Sequence, residues 1–300
     1  MENHTLITSN TISIDGRDIH YLRRKGKGKN NPVIVFLHGF PENAHAWEPL
    51  ISELPLGYDI IAPDLPGYHK SEPLTPIDEY KVNALIERVA SFIDSVCMGR
   101  KVTLIGHDWG GAIAWPLAAF KSSLFSRLII INAAHPSTFT RALINSEQQR
   151  SKSDYIHLLV SDDAEKVLIA SNFALLKDML GRELFDTHSD YAEMLLNSWK
   201  NTSNLSSMLN YYRLMPQLPP KAKASESALS SLRVPSIHIK IPTMVLWGRN
   251  DVAFEENILD DLSDYVEDLS IHYHDTATHW VHREQASWAA KCIRTFVEAK

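Results

Sequence analysis

Three short stretches hold the residue types that two-step nucleophilic chemistry needs. In "VTLIGHDWGG", residues 102–111, four β-favouring residues run into a small residue, a His, an Asp, a Trp and two glycines, and the helix-like "AIAWPLAAF" follows. That is a strand stopping at a sharp turn that feeds a helix, and such a turn pushes the side chain at its tip out of the backbone. The side chain at this tip is Asp108. Downstream, "VLWGRNDVAF" puts Asp251 just after a strand, and "YHDTATHWVHRE" puts His279 in a loop after the last strand. Nucleophile, acid and then His is one of the chain orders in which a catalytic triad occurs.

An acid at the tip selects the chemistry. A Ser attacking a saturated carbon would form an ether, which water does not release, whereas a carboxylate forms an ester that water can cleave. Asp108 is a carboxylate near neutral pH without help from a base. His279 is therefore free to deprotonate the water of the second step, with Asp251 holding its tautomer and stabilising the imidazolium. "FLHGFPENAHAW" supplies a turn straight after a central strand. There the Phe40 N–H, with the Trp109 N–H, is expected to form an oxyanion hole for the ester carbonyl. His107 and His135 read as structural neighbours, not as reacting groups.

These residues need a scaffold that brings strand ends together. Strand-like runs ("TISID", "DIHYLRR", "VIVFLHG", "DIIAPD", "VTLIG", "RLIIINA", "TMVLWG", "SIHYHD") alternate with helix-like runs at both ends of the chain. The pattern predicts an α/β fold with a mostly parallel eight-stranded sheet flanked by helices. An antiparallel hairpin around Gly16 opens it. The alternation stops between about His135 and His238, where "FTRALINSEQQRSKSDYIHLL", "DAEKVLIASN", "FALLKDML", "DYAEMLLNSWK" and "NLSSMLNYYRLM" read as helices. "PQLPPKAKASESALSSLRVPS" then reads as a returning loop. The expected organisation is core at 1–134, an inserted helical lid at 135–238, and core again at 239–300.

Composition narrows the partners. The 300 residues carry a formal charge of -6, which disfavours a nucleic-acid backbone or an anionic membrane as the main partner and suits a small neutral molecule. The two cysteines, Cys97 and Cys292, encode no disulfide framework or Cys-based zinc cluster and are expected as thiols. No metal or organic cofactor is expected. The polar N-terminus and the absence of any long apolar run point to a cytoplasmic protein with no membrane span. On that reading the glycosylation sequons at Asn3 and Asn201 are chance matches. "KGKGKN" reads as a solvated basic turn. Nothing in the sequence speaks to oligomeric state.

Taken together, "HGFPE", "GHDWGG", "WGRND" and "THW" resemble the epoxide hydrolases of the α/β-hydrolase fold over nearly the whole chain. The resemblance implies opening of an epoxide to a vicinal diol, with substrate and water as the partners. It also implies two lid tyrosines that protonate the opening oxygen, and here Tyr155 and Tyr212 fall in the corresponding segments. The match at Tyr212, in "LNYYRLM", is close. At Tyr155, Asp154 stands where the family usually has Trp and a following Phe-rich run is missing, so His157 is an alternative donor. Ala277-Thr278 stand before His279 where Gly is usual. A rival enzyme is a dehalogenase with the same Asp nucleophile. Haloalkane dehalogenases share Trp after the Asp but usually have Asn or Glu in place of Phe40, and haloacetate dehalogenases have Arg in place of Trp109. A catalytically silent binding or signalling module of the same fold is the non-enzyme alternative.

Overall fold

The computed structural model describes residues 7–28, 31–186 and 189–299. Asn3, and Lys29 and Asn30 of the basic turn, lie outside these residues. Eight strands form one sheet: β1 (Thr8–Ile14), β2 (Arg17–Arg24), β3 (Val33–Leu37), β4 (Asp59–Pro63), β5 (Val102–His107), β6 (Phe125–Ile131), β7 (Thr243–Gly248) and β8 (Leu269–His274). Asp15 and Gly16, both at positive φ, form the two-residue turn that joins β1 to β2 antiparallel. β3, β5 and β7 are mostly apolar and buried at every position, as expected of parallel strands covered on both faces.

The strand order is β1-β2-β4-β3-β5-β6-β7-β8, antiparallel at β1–β2 and β2–β4 and parallel elsewhere. From β3 the chain turns outward to β4 on one side, and from β5 to β6 on the other. Connections that diverge in this way open a crevice at the carboxyl ends of β3 and β5. Phe40 follows β3 and Asp108 follows β5, so both project into that crevice.

Helices α1 (Glu48–Glu53), α2 (Val82–Cys97) and α3 (Trp109–Phe120) connect the first six strands. Between β6 and β7 the described residues form helices only: α4 (Pro136–Asn145), α5 (Glu147–Lys152), α6 (Tyr155–Leu159), α7 (Ala164–Leu180), α8 (Glu183–Asp186), α9 (Asp190–Lys200), α10 (Thr202–Arg213) and α11 (Glu226–Ser231). Short α12 (Val281–Glu284) and α13 (Ala286–Glu298) close the chain. One core joins α1 and α13 to one face of the sheet, and a larger core joins α2, α3 and the inserted helices to the other. Among the described residues no helix is long and apolar enough to cross a membrane.

The insertion departs in detail from its sequence pattern. The run expected as one helix over 139–159 is three, because Ser146 leaves the helix and its hydroxyl caps the next one through the Gln149 N–H, while Ser153 closes that turn. The return segment expected as a loop contains α11, too short to leave a periodic signal. Within α7, Ser171, Asn172 and Phe173 sit at positive φ, which divides it where "DAEKVLIASN" meets "FALLKDML". Asn201, the second sequon, caps α10 by accepting from the Ser203 N–H. Cys97 and Cys292 are both unpaired.

Insertion and core are joined by hydrogen bonds from buried aromatic residues. The Trp199 indole donates to the Pro41 carbonyl at 2.9 Å, the Tyr211 hydroxyl to the Pro66 carbonyl at 2.9 Å and the Trp280 indole to the Met179 carbonyl at 2.8 Å. Close packing at the start of α3 is what sets the crevice. A Cβ on Gly110 would lie 2.1 Å from the Leu37 carbonyl oxygen, which is backbone and cannot rotate away. Gly110→Ala is therefore expected to lower unfolding stability by at least about 1–3 kcal/mol, the usual cost of overpacking. Equilibrium denaturation checks this, and wild-type stability would show that β3 and α3 are not in enforced contact.

Candidate active site

Asp108 occupies the tip between β5 and α3 with φ 51 and ψ -120, a conformation that L-residues seldom adopt. The strain aims the carboxylate away from the helix it precedes. Room for it comes from Gly39, where a Cβ would sit 2.3 Å from the Asp108 Cβ. The Phe40 N–H donates to Asp108 Oδ1 at 2.7 Å. The expected oxyanion donor just after β3 thus already holds one carboxylate oxygen and leaves the other free.

That second oxygen, Oδ2, faces His279 Nε2 at 3.8 Å. On its other side the His279 Nδ1–H donates to Asp251 Oδ2 at 2.8 Å. Asp251 is itself held tightly: the Asn132 side-chain amide donates to Oδ2 at 2.6 Å, and the Ala253 and Phe254 N–H groups donate to Oδ1 at 2.7 and 3.0 Å. His107 Nε2 donates to the His279 carbonyl at 3.0 Å and anchors the His279 backbone. Burial alone would discharge His279, but the charges of Asp251 and Asp108 outweigh it and push the imidazole up to about 10. Burial likewise opposes ionisation of Asp251, yet His279 and the hydrogen bonds hold its carboxyl below the usual range.

A cavity of about 510 Å³ opens above these groups, with Asp108, Trp109, Tyr155, Tyr212 and Phe254 in its wall. Tyr212, on α10, is 3% exposed, and its ring meets Phe40 edge-on at 5.2 Å, Trp109 at 5.3 Å and Tyr155 at 6.4 Å. Burial first raises both phenols above their ordinary pKa, and the Asp108 charge adds to it at both, with Tyr155 also raising Tyr212. They keep their protons at neutral pH and can donate. His157 lies on the same short helix as Tyr155 but outside the cavity wall, 4.0 Å from Asp154. His135 caps α4 by accepting from the Ser137 N–H and stacks on Tyr265, a structural placement.

Three residues supporting the site were not singled out from the sequence. Asn132, at φ 39 just after β6, uses its side chain both on Asp251 and on the Gly248 N–H, and its only sequence trace is a polar residue ending a buried strand. Lys152, on α5, donates to the Asp251 and Phe254 carbonyls at 2.5 and 2.7 Å, tying the insertion to the acid's loop. Glu42, two residues beyond Phe40, is buried and accepts from His282 Nε2 at 3.1 Å and from the Tyr191 hydroxyl at 3.1 Å, with Arg283 Nε 2.8 Å away. Burial opposes its charge, but Arg283 and His282 hold its carboxyl down to about 2. Its motif "HGFPE" was the available signal. Glu42, His107 and His282 bring ligand atoms within 4.8 Å of one another, but with the Arg283 guanidinium on the carboxylate the charge is already met, as an ion pair and not a metal centre.

The two carboxylates around His279 make a titration test. Because its folded pKa lies above the unfolded value of about 6.5, the stabilisation from its charge is complete below that pH and is lost as pH rises towards 10. Asp108→Asn removes one of the two charges, so its imidazole should titrate measurably lower than in the wild type. NMR titration of the His279 ring decides; an unchanged pKa in the variant would mean that Asp108 does not act on it.

With this geometry the chain can be set beside known proteins. Residues 32–284 match the family model described as alpha/beta hydrolase fold. The chain is 28% identical over 296 residues to human "Epoxide hydrolase 4", covering 96% of this chain and 77% of that one. It is also 28% identical over 275 residues to the Bacillus subtilis "AB hydrolase superfamily protein YfhM", covering 90% and 91%. Among solved structures it is similar to an epoxide hydrolase from Bacillus megaterium in complex with an inhibitor, at 27% identity and a TM-score of 0.85 over 97% of this chain and 100% of that one. Strand order and the matched span agree, and the chain belongs to the α/β-hydrolase fold family.

Proposed function

We propose that this protein hydrolyses epoxides to vicinal diols through an ester on Asp108, with residues 135–238 acting as a lid over the site. One observation carries the reading: a carboxylate on a strained turn has one oxygen held by the Phe40 N–H, the other free beside His279, and two protonated phenols in the same cavity wall. That arrangement suits attack on a saturated carbon whose leaving oxygen needs a hydrogen-bond donor. The similarity to proteins named epoxide hydrolases supports the same chemistry.

In the first half-reaction Asp108 Oδ2 attacks an epoxide carbon, the carbon–oxygen bond breaks, and Tyr212 and Tyr155 donate hydrogen bonds to the departing oxygen. Opening consumes one proton. Esterification also abolishes the Asp108 charge, which is one of the two that keep His279 protonated. The imidazole therefore becomes more acidic as the ester forms, and its proton balances the one taken up by the alkoxide. In the second half, neutral His279 deprotonates a water that attacks the ester carbonyl carbon. The oxygen on the Phe40 N–H becomes the oxyanion, with the Trp109 N–H as the second donor. Collapse releases the diol and restores ionised Asp108 and protonated His279, the starting state. Asp251 keeps the imidazole in register throughout, and no step needs a metal or organic cofactor.

The dehalogenase alternative is disfavoured at Phe40. Its ring packs edge-on against Tyr212, an apolar surface where a second halide donor would have to stand. Retention of the ester when the base is removed is the test of the epoxide reading. His279→Gln is expected to react once and stall, because nothing then deprotonates the water. Intact mass spectrometry after mixing with an epoxide should show one adduct of the substrate's mass, mapped to Asp108. No adduct from a panel of terminal and styrenyl epoxides, in a variant that folds, would contradict the proposal.

A further inference from the structure

Resting on the epoxide-opening reading, we infer that the substrate carries a long uncharged apolar tail, which lies along one face of α3 and leaves the protein at Phe120. The cavity wall includes Asp108, Ala112, Pro116 and Phe120, spaced every four residues. Residues four apart share a helix face, so the cavity follows α3 from its first turn to its last. Twelve residues at 1.5 Å each make this track about 18 Å long. The reacting epoxide itself needs only its first few ångströms.

The track is closed above by the segment that returns from the insertion to β7. Leu232, Pro235 and Ile237 are part-buried and line the cavity together with the exposed Ser236, while Arg233 and Val234 beside them are exposed and face away from it. Gln217 also lines it, but its amide is used in both directions by the Arg233 backbone, so it is not left waiting for a polar ligand. Among the lining residues Asp108 is the one charged side chain. No cation stands in the track to meet a carboxylate or phosphate on the tail, and burying such a group unpaired would be costly. At the far end Phe120 is 63% exposed, a large ring whose placement is explained if a tail passes under it into solvent.

A chain-length series of 1,2-epoxyalkanes, from epoxybutane through epoxydecane and epoxyhexadecane to epoxyoctadecane, tests the inference. The value of kcat/KM should rise by up to about fourfold per added methylene, and level off once the tail reaches the mouth. Phe120→Glu puts a charge at the exit and should lower the ratio of kcat/KM for epoxyhexadecane over epoxybutane at least tenfold. Calorimetric binding of the corresponding 1,2-alkanediols should follow the same order and respond in the same way to the variant, with no turnover required. Values that are flat or fall with chain length, or a ratio that Phe120→Glu leaves unchanged, would overturn the tail track while leaving epoxide opening intact. Should no epoxide in the series give diol, the epoxide reading fails, and alkanediol affinities that do not rise with length would remove the track as well.

Discussion

The site turns on one imidazole standing between two carboxylates in a place that water does not reach freely. Asp251 binds His279 Nδ1 at 2.8 Å, and Asp108 faces Nε2 at 3.8 Å. With both acids ionised the imidazole is held protonated; once Asp108 is esterified only Asp251 still favours the charge. The charge on Asp108 therefore sets the charge state of the imidazole. In the proposed cycle this spares the enzyme an outside acid or base, because the proton given up when the ester forms is regained when it is cleaved.

Much of the remaining fold keeps those three groups in place. The divergence of the connections from β3 and β5 creates the crevice, and Gly39 and Gly110 let the two strand ends approach within contact. The acid's loop is fixed from the core by Asn132 and from the insertion by Lys152, so helices packed over the site also determine where Asp251 sits. The turn with Phe40 is held in the same way, through Trp199 on Pro41 and Tyr191 on Glu42. A helical insertion bonded to both the Phe40 turn and the Asp251 loop shapes the cavity and stiffens the geometry around His279.

How much could be read from sequence follows physical lines. The sheet was legible because buried parallel strands such as "VIVFL" and "TMVLWG" are short apolar runs, and the turn at Asp108 was legible because a strained tip needs glycines around it. Tyr212 was visible through its family-like surroundings and Tyr155 less so, yet they meet in one cavity wall, a proximity that depends on how α6 and α10 cross. Helix breaks at Ser146 and Ser153 escaped the pattern because a capping serine is one residue within otherwise helical periodicity. Asn132, Lys152 and Glu42 escaped it for a different reason. Each acts on a partner far along the chain, 119, 99 and 240 residues away for Asp251 and His282, and no local spacing encodes such a pair.

The central claim is that Asp108 is consumed and regenerated in every turnover, and the oxygen of the diol records it. In a single turnover of wild-type protein in heavy-oxygen water, with enzyme in excess over an epoxide, the water attacks the ester carbonyl carbon and not the substrate. The account predicts heavy oxygen in the Asp108 carboxylate, found by peptide mass spectrometry, and a diol that carries the enzyme's old, light oxygen. Heavy oxygen in the diol of that first turnover, with Asp108 unlabelled, would contradict the account, because Asp108 would then be a base that directs water onto the epoxide.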